Sequence, residues 1–344
     1  MSNETPFIDK LGAFSSLGLK HPAFISLLLK ATREYRSVER YVNELLRREL
    51  PKEAKLSFRE QGGTSEFFQR NFFSILFVSL FISAGIEEKR RRCYGTILHC
   101  LRAIVTCTDN IIDDESKGTI FLELPGAGNV LGNVLITIAV QNIISTEAAA
   151  VSYEPQNTLN RLLSCLHSVA VGEAFAHNPS TGAYPQPQEI IDKVHRKIGS
   201  ELLQLAFVAP LQNETACLNS LKQYEQGVLK IGLSLQMLDD CQDILEDISE
   251  NKLNLFASVV VHEAGTSFEQ LADMAEAGVD LEKEFADAKA GIVRQAVAGA
   301  REGFAIMAGA GYPLNASEID ALLKSMFVLR GLSRDWQIIE SQKE

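Results

Sequence analysis

Apolar residues recur along most of this chain at three- and four-residue intervals, the period of an α-helix. Residues 11–29 follow that period apart from a break near Gly18 and Pro22. Residues 37–49 are amphipathic, with Val38, Tyr41, Val42, Leu45 and Leu46 on one side. The polar stretch 50–66 contains Gly62-Gly63 and reads as a loop. A strongly apolar helix is expected over 67–84, closed by Gly85. Residues 87–114 read as one long helix that begins basic (Lys89, Arg90, Arg91, Arg92), turns apolar and ends in carboxylates. Its basic start is expected to be solvated. Further helices are expected at 130–146, 159–177, 189–210, 216–249 and 254–264. The segment NPSTGAYPQPQ is the clearest long loop, and 267–342 should give two or three helices broken at Gly311–Pro313.

Strand signals are nearly absent, and no Asn-Gly or Asp-Gly hairpin occurs. The expected fold is all-α, a single large helical bundle with short loops. Residues 1–60 would supply N-terminal helices and 61–344 the functional body, with its motifs in 62–254 and C-terminal helices in 255–344. Two apolar segments, 72–84 and 130–144, fall short of the roughly 20 residues needed to cross a bilayer, so core helices are the expected reading.

The composition, 46% hydrophobic and 22% charged, fits a globular protein with a large core. A net charge of −11 argues against nucleic-acid binding, which calls for a basic stripe. Cys93, Cys100 and Cys107 recur every seven residues and would share a buried helix face. No CxxC or zinc-like Cys/His spacing occurs. With no signal-peptide pattern at the N-terminus, the expected location is cytoplasmic.

Two acidic segments change the picture. In DNIIDDESKG, Asp109 and Asp113 are four apart and share a helix face, with Asp114 and Glu115 beside them. These carboxylates sit at a helix C-terminus, where the macrodipole disfavours negative charge, so a bound cation is the natural compensation. In DDCQDILEDISENK, Asp239, Asp243 and Asp247 line one stripe, with Asp240 next to it. Carboxylates one turn apart on an apolar body suit hard, oxygen-seeking Mg²⁺. Either segment alone is equally well explained as a solvated acidic face. Two of them, 130 residues apart, would hold several Mg²⁺ ions against a diphosphate if they faced each other across a bundle.

With these motifs the chain resembles the class I isoprenoid synthases, most closely the trans-prenyl diphosphate synthases. That family carries two DDxxD motifs on facing helices around a central apolar cavity. Here the first reads DNIID, with Asn110 in the second position, and the second reads DDCQD. HRKIGSELLQLAFVAP resembles the family's KTG-like element and implies that Lys197 binds the substrate diphosphate. VGEAF resembles its Gly-Gln element, with Glu173 in place of Gln. QRNFFSILFVSLF implies that Arg70 binds a second diphosphate. The resemblance spans about residues 62–254. Thr64 follows Gly62-Gly63 where the family has a lysine, and Ser116-Lys117-Gly118 replaces Arg-Arg-Gly, so the site for isopentenyl diphosphate is weakened.

The resemblance implies a Mg²⁺-dependent prenyltransferase using two or three ions, and a homodimer. Asp109, Asp113, Asp114, Asp239, Asp243 and Asp247 would hold the ions, with Asp240 in the same catalytic group. Lys197, Lys252 and Glu173 would contact the allylic diphosphate, and Arg70 and Lys117 the second. His195, beside Arg196 and Lys197, is a further candidate for phosphate contact, with a plain core role as the alternative. Leu98, Leu101, Ile104 and Val105 would form the cavity wall. No bulky aromatic stands among them, which implies a pocket open beyond fifteen carbons. A terpene cyclase or a head-to-head squalene- or phytoene-type synthase is the alternative within the same ionisation chemistry. A non-catalytic subunit would not need both acidic segments. A di-iron bundle would need Glu-x-x-His pairs, and none stands beside these motifs.

Overall fold

Helix α1 (Pro22–Glu49) is one uninterrupted run of 28 residues, longer than the local periodicity indicates. Pro22 sits in its first turn, where a missing N–H is no loss. Phe24, Leu28, Ala31, Tyr35, Val38, Val42 and Leu46 follow one another at steps of three or four, and all are buried. The computed structural model describes residues 20–51, 53–112, 116–124, 129–177, 183–329, 332 and 336. It divides into two compact units. The first holds His21–Leu162 with Leu205–Leu221, and the second holds Leu163–Gln204 with the chain from Lys222 onward.

In the first unit, β1 (Lys55–Phe58), α2 (Thr64–Arg70), α3 (Phe72–Ser83), α4 (Glu88–Ile112), β2 (Ile120–Glu123) and α5 (Asn129–Val151) follow α1. The helix expected over 67–84 is split at Asn71, whose Nδ2 donates to Phe67 O at 3.0 Å. A short polar side chain that bonds its own backbone competes with helix continuation. Helix α3 is buried nearly all round, from Phe72 to Phe81. Helix α4 packs on α1, α3 and α5, and buries Cys93, Cys100 and Cys107 as the seven-residue spacing predicts. Tyr35 Oη donates to His99 Nδ1 at 2.8 Å and ties α1 to α4.

The two strands were not legible in the sequence. They pair antiparallel, Lys55 opposite Glu123 and Phe58 opposite Ile120. Four residues are too few to display a period of two, and each strand's partner lies some sixty positions away. The basic start of α4 is also not the solvated end expected. Arg91 is buried and makes two hydrogen bonds to Glu34, at 2.6 and 2.9 Å. Arg90 pairs with Glu214 and donates to the carbonyls of Val151 (3.1 Å) and Asn213 (3.2 Å), the last residues of two helices. A guanidinium there satisfies carbonyls that helix ends leave unpaired.

Among the described residues one helix, α5, is long and apolar enough to cross a membrane by length and composition. It extends to 23 residues, further than the apolar run 130–144. It packs on α1, α4 and β2. Its other side leaves Val130, Leu131, Val134, Leu135 and Ile138 exposed in one stripe.

The second unit takes most of α6 (Pro155–Ala176), then α7 (Pro187–Ile190), a π-helical run (Ile191–Glu201) and the first turn of α8 (Leu202–Asn213). It continues with most of α9 (Leu218–Gln242), then α10 (Ile244–Ser249), α11 (Leu255–Glu263), α12 (Phe268–Glu276), α13 (Leu281–Glu284), α14 (Ala286–Gly309) and α15 (Ala316–Leu329). The expected single helix over 216–249 is interrupted at Asp243, where ψ turns to 11°. The π-helical run and α9 meet backbone to backbone at Gly199 and Gly232. A Cβ on Gly199 would stand 2.6 Å from Gly232 O, so only glycine permits the approach.

Candidate active site

The second acidic segment spans the joint between α9 and α10. Asp239 lies in the last turn of the long α9, Asp243 is the interrupting residue, and Asp247 lies one turn into α10. Backbone hydrogen bonds run on through the joint, from Asp243 N to Asp239 O and from Asp247 N to Asp243 O, so the three carboxylates keep their one-turn spacing. Asp239, Asp243 and Asp247 are all half-buried. Burial pushes the Asp247 carboxyl up to about 6, and the charges of Asp240 and Asp243 push the same way, against a hydrogen bond from Asn254 and the charge of Lys252.

Asp240 takes a different direction from its neighbours. It is buried, and its Oδ2 accepts from His195 Nε2 at 2.8 Å and from Leu255 N at 2.5 Å. His195, completely buried, therefore belongs to the interior rather than to a phosphate-facing surface. It falls on the buried face of its segment with Ile191 and Val194, which is the sequence signal for this placement.

Asn254 is the residue that sequence reasoning missed. It is fully buried, and its Nδ2 donates to Asp247 Oδ2 (2.7 Å) and to Asp240 O (2.8 Å). Its Oδ1 accepts from Ala257 N at 3.1 Å and caps α11. Its N donates to Tyr184 Oη at 3.0 Å, and the Tyr184 ring stacks on Phe268 at 4.6 Å. An Asn directly before the apolar run Leu255–Val261 is a helix N-cap signal and could have located it.

Between these groups the chain reverses tightly. Asn251 adopts φ +54°, and Lys252 N donates to Asp247 O at 2.8 Å, closing α10. This turn brings Lys252 back beside the acidic stripe, with its Nζ 2.5 Å from Glu250 Oε2. Lys197 stands half-buried on the π-helical run, two residues from His195. Its stem passes over Gly172 of α6, where a Cβ would lie 2.7 Å from Lys197 Cβ. The Gly172-Glu173 step thus makes room for the lysine. Glu173 is half-buried and lies 3.9 Å from His177 Nδ1. Lys197, Glu173, Asp239, Asp240, Asp243, Asp247 and Lys252 all belong to the second unit.

Arg70, Leu98, Leu101, Ile104, Val105, Asp109 and Lys117 belong to the first unit. Asp113 and Asp114 lie outside the described residues. Asp109 is exposed in the last turn of α4. Asn110 turns inward and bonds the backbone of Lys117, leaving the Lys117 side chain exposed. Arg70 is held between Glu39 (4.0 Å) and Glu66 (3.6 Å), and donates to the carbonyls of Glu60 (3.1 Å) and Gln61 (3.4 Å). Arg102, not singled out in the sequence, donates to Asn71 Oδ1 at 2.6 Å and to Arg70 O at 3.2 Å, tying α4 to the end of α2. Of the expected wall, Leu98 and Leu101 are buried, and Ile104 and Val105 are half-buried.

Among the described residues, no three His, Cys, Asp or Glu side chains converge to hold a metal ion by themselves. Mg²⁺ does not require that, because it is usually bound through one or two carboxylates, with waters and substrate phosphates completing its shell. Burial is the main cause of the raised Asp247 carboxyl, and the charges of Asp240 and Asp243 add to it; a nearby divalent cation would oppose both. The donor set, all carboxylate oxygen, fits Mg²⁺.

No family model matches the sequence, and no curated protein matches it. Solved structures do share the fold. A geranylgeranyl pyrophosphate synthetase from Pyrococcus horikoshii aligns with a TM-score of 0.54 at 14% identity, covering 88% of this chain and 98% of its own. An octaprenyl pyrophosphate synthase from Helicobacter pylori aligns with a TM-score of 0.54 at 14% identity, covering 86% and 98%. A polyprenyl synthase from Caulobacter crescentus, solved with calcium and isoprenyl diphosphate, gives 0.54 at 14% identity, covering 90% and 98%. The all-helical fold expected from the sequence is thus the fold of this chain, and it is similar to that of trans-prenyl diphosphate synthases.

Proposed function

We propose that this protein is a Mg²⁺-dependent prenyltransferase that ionises an allylic prenyl diphosphate and condenses it with a second isoprenoid. The observation that carries this reading is the half-buried stripe of Asp239, Asp243 and Asp247, with Lys197 and Lys252 in the same unit. The likeness in fold to synthases of prenyl diphosphates supports it.

In this reading Asp239, Asp243 and Asp247 would hold the ions. Asp109, with Asp113 and Asp114, supplies the first motif's ligands. Two or three Mg²⁺, when bound, neutralise the departing diphosphate and polarise its bond to carbon. Lys197 and Lys252 give charged hydrogen bonds to its oxygens, and Glu173 stands with them at the allylic diphosphate. Leu98, Leu101, Ile104 and Val105 keep water from the allylic cation. Arg70 and Lys117 hold the diphosphate of the second substrate, whose double bond attacks the cation. The new carbon–carbon bond leaves a cation that loses a proton to the released diphosphate.

The reading also makes the protein a homodimer, and the exposed apolar stripe of α5 supports that assembly. Its six free cysteines suit a reducing cytoplasm.

A second reading, a terpene cyclase or head-to-head synthase, is favoured by one observation. Arg70 is already engaged by Glu39 and Glu66, which weakens a site for a second diphosphate. Purified protein incubated with Mg²⁺ and farnesyl or geranylgeranyl diphosphate, with and without isopentenyl diphosphate, separates the two by mass spectrometry. Longer prenyl diphosphates formed only with isopentenyl diphosphate are the expected result. A hydrocarbon or alcohol from the allylic substrate alone would move the protein to the second reading. No Mg²⁺-dependent turnover at all would overturn both.

A further inference from the structure

The acidic stripe and the lysine-bearing helix of the second unit are joined by a buried polar bond that neither the metal nor the diphosphate needs for its own ligation. His195 and Asp240 meet at 2.8 Å, with side-chain exposures of 0% and 6%. His195 lies two residues before Lys197, and Asp240 directly follows Asp239. The other Asp240 contact is equally buried, Leu255 N at 2.5 Å, and the Asp240 carbonyl accepts from Asn254 Nδ2. Asp240 Oδ2 is thereby committed to partners inside the protein. Beside a carboxylate, His195 Nε2 carries the proton and donates. Its buried Nδ1 has no partner among the described residues. The imidazole thus makes a single directed bond, and that bond runs to the acidic motif.

The same two elements are registered along their length. Gln204 Nε2 donates to Glu225 Oε1 at 2.7 Å, Ser200 Oγ donates to Leu229 O at 2.8 Å, and Gly199 lies against Gly232. These contacts begin two residues beyond Lys197 and hold the end of the π-helical run and the start of α8 against the middle of α9. His195–Asp240 fastens the run on the other side of Lys197, directly beside Asp239.

We propose that His195 and Asp240 are positioning residues, a clamp that sets Lys197 at its working distance from Asp239 and Asp243. Lys197 must reach the diphosphate whose metal ions the aspartates hold, and reactions of this kind lose rate steeply when a charged group is misplaced by an ångström. This inference rests on the diphosphate-ionising reading above.

The test compares the full-length wild type with His195→Met, His195→Gln and Asp240→Asn. Methionine fills the space without a donor. Glutamine places its Nε2 about as far along the side chain as the imidazole Nε2, and can restore the bond. Turnover of farnesyl diphosphate is measured against Mg²⁺ concentration, alongside thermal unfolding. The expected result for His195→Met is a kcat lower by about ten- to a hundred-fold, a raised Mg²⁺ requirement and little change in KM for isopentenyl diphosphate. His195→Gln should recover most of the loss. A methionine variant with wild-type kcat and Mg²⁺ requirement would overturn the clamp, as would a glutamine variant no better than methionine.

If His195→Met does not fold, Asp240→Asn, which keeps the volume, must show the same loss of kcat or the clamp is overturned. A wild type that is inert toward farnesyl diphosphate sinks the functional reading instead. The clamp is then judged by calorimetric binding of inorganic diphosphate with Mg²⁺. Weakening of about ten-fold or more in His195→Met supports it. Equal binding, or none by the wild type, overturns it.

Discussion

Asn110 grips the backbone of Lys117 with both halves of its carboxamide. Oδ1 accepts from Lys117 N at 2.8 Å, and Nδ2 donates to Lys117 O at 2.9 Å. The second position of the first acidic motif, an aspartate in the resembled family, thus serves here as a buried fastener for the segment that follows α4. An aspartate could accept the N–H but could not donate to the carbonyl.

Replacing Asn110 by Asp sets a buried carboxylate against the Lys117 carbonyl and removes one hydrogen bond. Stability should fall by about 1–3 kcal/mol, read from urea unfolding. Asn110→Ala should fall in the same range. An aspartate variant as stable as the wild type would show that the fastener is dispensable.

His99 predicts a pH dependence with a definite sign. Burial, reinforced by the charge of Arg102, lowers its pKa from 6.5 to about 3, and it accepts from Tyr35 Oη as a neutral ring. Below pH 6.5 the unfolded chain takes up a proton that the folded chain refuses. The unfolded state then binds more protons, so stability falls as pH drops from 6.5 toward 3. The slope from this group is about 1.4 kcal/mol per pH unit. In His99→Asn, whose Oδ1 can take the Tyr35 hydrogen bond, the slope measured by urea unfolding between neutral pH and about pH 4.5 should be shallower by one proton.

Val105 stands one turn before Asp109 and is half-buried. Val105→Phe should shorten the product if this face lines the prenyl chain. Dephosphorylated products separated by gas chromatography would report it. An unchanged length distribution would return Ile104 and Val105 to a packing role alone.

The stripe on α5 bears on assembly. Ile138 is 55% exposed, as is Leu131. Ile138→Asp should convert a dimer to a monomer in sedimentation while leaving the helical circular dichroism unchanged. A wild type that sediments as a monomer at micromolar concentration would remove the homodimer from the proposed function.

The sequence by itself located most of the helices, because apolar residues recur along them at three- and four-residue intervals, and the cysteines at 93, 100 and 107 fall on the buried face that spacing dictates. It also located the acidic stripe, since carboxylates four apart on a helix share a face whatever surrounds them. Only tertiary structure decided where Asp240, beside that stripe, is directed. Asp239 and Asp240 are neighbours of the same type, yet Asp240 is directed to His195, 45 positions away, and to the N-terminus of α11. The pairing of Lys55–Phe58 with Ile120–Glu123, the burial of Arg91 against Glu34 and the cap that Asn254 provides are likewise contacts made through space. The physical reason is common to all of them. Periodicity reports what a residue shares with its own helix, whereas the partner that satisfies a buried polar group is set by elements distant in the chain.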